Sequence, residues 1–248
     1  KKYKKALEAV NESLSISKVI GDKHGERKYL NSIGLVKEHT ADYSGALEIY
    51  LKCLKLSKNI SEKRSIAVSY NNIGCVYACL NEIDLANKNF KKALIFSKRI
   101  NYKEGVAAFQ FNIAFAYGKL GEYQKALKLI QSSIKDHKDL KSDHPFIISC
   151  EIYKTYIYLI KKDKAQVREN FEKIKNVKPG DDIGYNRSFE LYQIYKFLDL
   201  DGKLFLKQAH SLLLNDIECI LSSKDKKHFM NNVDYNKSII QDWESNNA

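Results

Sequence analysis

The chain has 248 residues, 44% of them apolar, with two prolines, eleven glycines and a formal net charge of +12. It is too apolar for a disordered chain, and its longest apolar runs, Phe146 to Cys150 and Tyr156 to Ile160, are too short to cross a bilayer. The opening Lys1-Lys2-Tyr3-Lys4-Lys5 leads into an amphipathic pattern, not the apolar stretch of a secretory leader, which is consistent with a cytoplasmic chain. The cysteines Cys53, Cys75, Cys79, Cys150 and Cys219 are odd in number and fall inside helical patterns, so they read as buried, reduced thiols and not as a disulfide framework.

In chain order, residues 3–20 form an amphipathic helix whose Tyr3, Ala6, Val10 and Leu14 align with Tyr43, Ala46, Tyr50 and Leu54 forty residues on. A matching helix before it is missing, so Ala6, Val10 and Leu14 are expected to face water, and further helices are expected to precede it in the intact protein. The only methionine, Met230, supports that expectation. A processed end with a different cap is the alternative.

From there the chain repeats without gaps every forty residues: Ile33, Ile73 and Ile113; Gly34, Gly74 and Ala114; Ala46, Ala86 and Ala126; Leu54, Leu94 and Ile134. A fixed period of this length marks stacked supersecondary units. Each unit reads as two helices. Tyr70, Ile73 and Tyr77 stripe the first, beside Gly74, where a neighbour can approach closely; Ala86, Phe90, Ala93, Leu94 and Ser97 stripe the second. The turn between them sits at Ala41, Asn81 and Gly121, and a left-handed residue suits Asn or Gly there but not Ala41.

Beyond Pro145 the pattern decays. Helices are predicted over 145–161, 164–176, 183–198 and 202–221, with Val177-Lys178-Pro179-Gly180-Asp181 the clearest break. Two short helices split near Asp234, its N-cap, would let Phe229, Val233, Ile239, Ile240 and Trp243 close the open end of the core. This divides one continuous solenoid into a regular array over residues 1–144, degenerate pairs over 145–222 and capping helices over 223–248.

These residues resemble the tetratricopeptide repeat family in a forty-residue form. The family's Leu-Gly-x-x-Tyr appears as Ile73-Gly74-x-x-Tyr77 and Ile113-Ala114-x-x-Tyr117, whereas Lys37 replaces the Tyr after Ile33-Gly34. The small, large, small positions of the second helix appear as Ala46, Tyr50 and Cys53, as Ala86, Phe90 and Ala93, and as Ala126, Ile130 and Ser133. The resemblance implies an all-α, right-handed α-solenoid of stacked antiparallel helix pairs. It also implies a non-catalytic module that binds a protein or peptide segment in the groove lined by the first helices. Arrays of this kind occur in regulatory regions of multidomain signalling proteins.

Carried onto this chain, the groove positions are Lys28, Asn31 and Leu35; Asn71, Asn72 and Cys75; and Phe111, Asn112 and Phe115. An amide offers donors and an acceptor, so the asparagines suit the backbone of an extended peptide whatever its sequence. Phe111 and Phe115, one turn apart, would seat a side chain. The competing reading is that Asn72 and Asn112 bond neighbouring helices and Phe111 is core. The family's clamp for acidic carboxyl termini needs Lys or Arg where this chain has Asn31, Ala108 and Asn112, which argues against a chaperone-tail adaptor.

Residues 1–124 carry 21 basic and 12 acidic groups and residues 125–248 carry 21 and 18. Much of the excess, Lys52, Lys55, Lys58, Lys88, Lys91 and Lys92, falls on second helices and reads as solvated surface, with an acidic protein partner next. Nucleic acid is the alternative, but no stacking-aromatic motif accompanies the charge. Self-association through the incomplete first repeat is a third reading. No phosphate loop, nucleophile elbow or zinc-protease helix is present, and no cofactor is implied. Asp181-Asp182 and Asp199-x-Asp201 sit in predicted turns, where Asp bonds the local backbone. His24, His137 and His144 read as solvated, and the one arrangement with metal-ligand character is His39 with Cys75 and Cys79, which lacks a fourth ligand.

Overall fold

The computed structural model describes residues 2–141, 144–181, 184–220, 226–227, 229–230 and 234–247. Among them there is no strand. The first seven helices are α1 (Lys2–Val19), α2 (Lys23–His39), α3 (Tyr43–Asn59), α4 (Lys63–Cys79), α5 (Ile83–Arg99), α6 (Lys103–Lys119) and α7 (Tyr123–Asp139). There follow α8 (His144–Ile160), α9 (Lys164–Phe171), α10 (Gly184–Phe197) and α11 (Lys203–Cys219), and the last helix described, α12 (Asp234–Asn247). From α1 to α9 each helix packs on the next, and α10 packs on α8 and α11, so the chain is a right-handed α-solenoid of stacked antiparallel pairs.

The turns set the frame. A left-handed residue recurs every 20 positions, at Gly21, Ala41, Ser61, Asn81, Asn101, Gly121 and Lys141. After α2, the Ala41 N–H donates to Glu38 O at 3.0 Å and the Asp42 N–H to Lys37 O at 2.8 Å, the two bonds that satisfy the last carbonyls of a helix. Ala41, expected not to suit this conformation, adopts it at φ 56°. Ala41 is 4% exposed in the core, and burial of its methyl, worth about 0.8 kcal/mol, offsets part of a left-handed penalty of about 1–2 kcal/mol. Asp42 then caps α3 by accepting from the Gly45 N–H at 2.9 Å. Lys37, the residue that stands in for the repeat's Tyr, pairs with Asp42 at 2.5 Å and so ties the two helices by charge instead of by packing.

Within a unit the helices meet at a small residue facing a large one. An added Cβ at Gly34 would lie 2.4 Å from the Tyr50 ring, and one at Gly74 would lie 2.6 Å from the Phe90 ring. In the next unit Ala114 replaces the glycine and Ile130 replaces the ring, and both are 0% exposed in one core cluster. The extra methyl on one helix is matched by the smaller side chain on the other. Interhelix bonds repeat as well: the Cys53 thiol donates to Arg27 O at 3.6 Å, and the Ser133 hydroxyl, eighty residues on, donates to Ala107 O at 2.8 Å.

Four local expectations change. On α1, Leu14 is buried and Val10 half-buried against α2; the apolar residues left in water are Ile16, Val19 and Ile20. Helix α9 stops at Phe171 instead of running to 176, because the chain tightens to three-residue turns, Ile174 N to Phe171 O at 2.9 Å and Val177 N to Ile174 O at 3.0 Å. At that pitch residues three apart eclipse, which buries both Ile174 and Val177. His137 is buried and stacks on Phe146 at 4.1 Å, while His24 is exposed and the His144 side chain lies outside the described residues. At the end of the core Phe229 and Ile239 are buried as expected, Val233 lies outside the described residues, and Asp234 opens α12 as its first helical residue.

Two outcomes follow from this packing. Ser61→Gly removes left-handed strain at an exposed turn and should raise stability by about 0.5–1 kcal/mol, read as a thermal midpoint about 2–3 °C higher. Gly74→Ala should cost about 1–3 kcal/mol by overpacking against Phe90, and adding Phe90→Ile should recover part of that loss in a double-mutant cycle. Strict additivity would refute the volume match.

Candidate functional site

The first helices α2, α4, α6, α8 and α10 form one layer. Helix α4 packs directly on α6 and α8 on α10, whereas successive second helices do not pack on one another in this way, so the solenoid curves toward the first-helix face. On the outer face Lys52, Lys55, Lys58, Lys88, Lys91 and Lys92 are exposed, as expected. Several of them are not simply solvated: Lys58 and Lys92 place their ammonium groups over the Tyr70 ring, at 5.6 and 5.3 Å, and Lys91 and Lys125 do so over Tyr117.

On the inner face the asparagines form a ladder across three successive first helices. Asn112 Nδ2 on α6 donates to Asn71 Oδ1 on α4 at 2.7 Å, and Asn72 Nδ2 on α4 donates to Asn31 Oδ1 on α2 at 2.9 Å. Asn71 Nδ2 links the two rungs by donating to Asn72 Oδ1 at 3.4 Å, and it also reaches Cys75 Sγ at 3.8 Å. All four residues are half-buried. Each amide carries two N–H groups and two acceptor lone pairs, so a rung consumes only part of that capacity. The ladder therefore bonds neighbouring helices and still presents polar groups along the face.

The remaining expected residues fall on either side of it. Lys28 is exposed and Leu35 is 41% exposed on α2. Phe111 and Phe115 do not enclose a free pocket: Phe111 meets Phe146 at 5.5 Å and Tyr153 at 5.9 Å, and Phe115 meets Tyr153 at 5.5 Å, so they extend an aromatic wall from α6 to α8 while staying half-buried. Cys75 is half-buried too, with burial holding its thiol well above the ordinary value.

His39, Cys75 and Cys79 are not brought together as a ligand set. Among the described residues no three His, Cys, Asp or Glu side chains come together in a way that could hold a metal ion. Burial pushes the Cys79 thiol up to about 12, and Tyr43 hydrogen-bonds it. The carboxylate reading also resolves into turns: Asp181 accepts from the Lys178 N–H at 2.8 Å and Asp201 from the Lys203 N–H at 3.0 Å, whereas Asp182 lies outside the described residues.

Groups that sequence reasoning did not single out occupy the same face. Glu38 at the end of α2 is half-buried and accepts from the Tyr50 hydroxyl at 2.9 Å; burial raises its carboxyl. Toward the other end, Arg187 stacks over Tyr153 at 4.8 Å and Phe111 at 5.9 Å and pairs with Glu190 at 2.5 Å, with Glu190 fully buried. An Arg and a Glu three apart, within reach of each other on one helix, was the available signal.

Residues 27–95 match the family model described as tetratricopeptide repeat. No curated protein sequence matches the chain. Among solved structures, the apo form of RapI superposes with a TM-score of 0.73 at 18% identity, covering 97% of this chain and 90% of that one. NprR in complex with its cognate peptide NprX gives a TM-score of 0.59 at 18% identity, over 96% of this chain and 72% of that one. A signal transduction ATPase with numerous domains (STAND) and a tetratricopeptide repeat sensor, from Pyrococcus horikoshii, gives a TM-score of 0.64 at 16% identity, over 92% of this chain and 36% of that one. At these identities the likeness is one of fold. Residues 27–95 are thus tetratricopeptide repeats by their family match, and the rest of the chain shares the helical-solenoid fold of the neighbours.

Proposed function

We propose that the array is a non-catalytic recognition module that holds an extended peptide or partner segment along α2, α4 and α6, as the sensory or regulatory part of a signalling protein. The asparagine ladder carries this reading. It sets amide groups in a row on one face, and a row of donors and acceptors is what an extended backbone pairs with. The aromatic wall of Phe111 and Phe115 would flank one apolar anchor, and the exposed Leu35 another. Neighbours of the same fold that bind a cognate peptide or serve as repeat sensors support it by analogy. An acidic partner is favoured by the charge excess, although tyrosine faces engage several of the lysines that would meet it.

Selection from a displayed random-peptide library, washed at high salt, tests the proposal. Asn72→Ala with Asn112→Ala should weaken the selected peptide about 10- to 100-fold, the loss expected for two hydrogen bonds of about 0.7–1.4 kcal/mol each, while circular dichroism shows the helices retained. Unchanged affinity in a folded double variant would sink the groove assignment, and retention of nucleic acid only at low salt would favour the basic surface instead.

A further inference from the structure

Helix α12 packs chiefly on α11, and on α10, as the next member of the stack would, but its side chains reach further. A next-in-line helix touches the pair before it, whereas α12 reaches three successive first helices. Its Tyr235 ring lies 6.2 Å from Tyr156 on α8 and 6.3 Å from Phe189 on α10, and Lys119 of α6 sets its ammonium 4.7 Å over the same ring. Further along, Gln193 donates to Asp242 at 2.6 Å and Asn246 donates to the Tyr192 hydroxyl at 3.3 Å. Tyr235, Ile239, Asp242 and Asn246 recur at helical spacing, so one stripe of α12 makes all of these contacts. The face it crosses is the one that carries the asparagine ladder on α2, α4 and α6.

We infer that α12 is a displaceable strap over the C-terminal half of the groove, clasped by the Tyr235–Glu190 hydrogen bond, and that its release opens the basic and aromatic surface beneath it to a partner segment. The clasp is polar: the Tyr235 hydroxyl donates to Glu190 Oε1 at 2.6 Å, and both residues are buried. The packing beneath is incomplete, for a cavity of ≈ 130 Å³ remains between α6, α8, α10 and α12, bounded by Lys119, Tyr156, Phe189 and Tyr235 among others. It opens to solvent beside Tyr235. What α12 covers is Lys119 and Arg187 set among aromatic rings, a surface that suits a segment bearing a carboxylate beside an aromatic or apolar side chain.

The clasp also senses protons. Glu190 faces Arg187 on its own helix, Tyr235 on α12, Lys119 on α6, and Tyr153 and Tyr156 on α8. Burial outweighs the cations and pushes its carboxyl up to about 7. With α12 released and the carboxyl in water, it returns toward the ordinary value of about 4.5. The closed form thus binds the proton more tightly. Closure is strongest below the lower value, weakens by up to about tenfold per pH unit between the two, and levels off above the higher.

This rests on reading the first-helix face as the partner groove, but its test reads the strap itself and needs no partner, so either can fail alone. Trp243, the single tryptophan, lies on α12 and stacks on His210 at 4.4 Å. Acrylamide quenching of Trp243 in the 248-residue chain should rise at least about twofold between pH 5 and 7.5, with far-ultraviolet circular dichroism unchanged. Glu190→Gln, which keeps an acceptor for Tyr235, should hold the low-quenching value throughout, and Tyr235→Ala should hold the high one. Equal pH responses in the wild type and Glu190→Gln would assign the effect to His210 and overturn the proposal. So would protection of Trp243 that neither pH nor Tyr235→Ala alters, or quenching that rises only as the helical signal is lost.

Discussion

The structure depends on one steric constraint, the close approach of two helices at a small residue facing a large one. Gly34 under Tyr50 and Gly74 under Phe90 leave no room for a methyl, and the Ala114 and Ile130 pair reaches the same closeness by sharing the volume differently. That contact sets the separation within a unit. The left-handed turn every 20 residues sets the reversal, and the two together force each pair to present an apolar stripe that only a neighbouring pair can cover. Curvature follows, because first helices touch one another directly.

The same geometry decides which residues can recognise anything. Successive helix positions are about 100° apart, so with Ile33, Ile73 and Ile113 turned into the stack, the asparagines one or two positions earlier are turned away from that core. They meet across the units because the helices there are close. The ladder bonds the helices, and that does not exclude the second reading of Asn72 and Asn112: a half-buried amide that spends one donor on its neighbour still has groups to offer. The groove also changes character along its length, from neutral amides on α2 and α4 to cations, aromatics and a buried carboxyl beneath α12.

Repeat periodicity made the regular part of the fold legible. Forty-residue identity fixes helix length, pairing and the buried stripe at once, since a single local rule is applied again and again; Ala46, Tyr50, Cys53 and Ser57 are buried and so are their counterparts in the next two units. Departures arose where tertiary burial outweighed a local preference. Ala41 takes a glycine's conformation because the core covers its methyl, His137 stacks on a phenylalanine instead of meeting water, and α9 tightens so that Ile174 and Val177 both turn inward.

The sequence by itself determined the helix pairs, their register and the face on which Asn31, Asn71, Asn72 and Asn112 lie, because helical spacing and a fixed repeat are properties of neighbours along the chain. Only the tertiary structure decided that those amides hydrogen-bond in a ladder, that His39, Cys75 and Cys79 do not converge, and that Tyr235 of α12 reaches Glu190 forty-five residues earlier. Such contacts depend on how far the stack has curved by the time the chain returns to its own groove. Curvature accumulates from every small packing distance along the array, and no local stretch of sequence contains it.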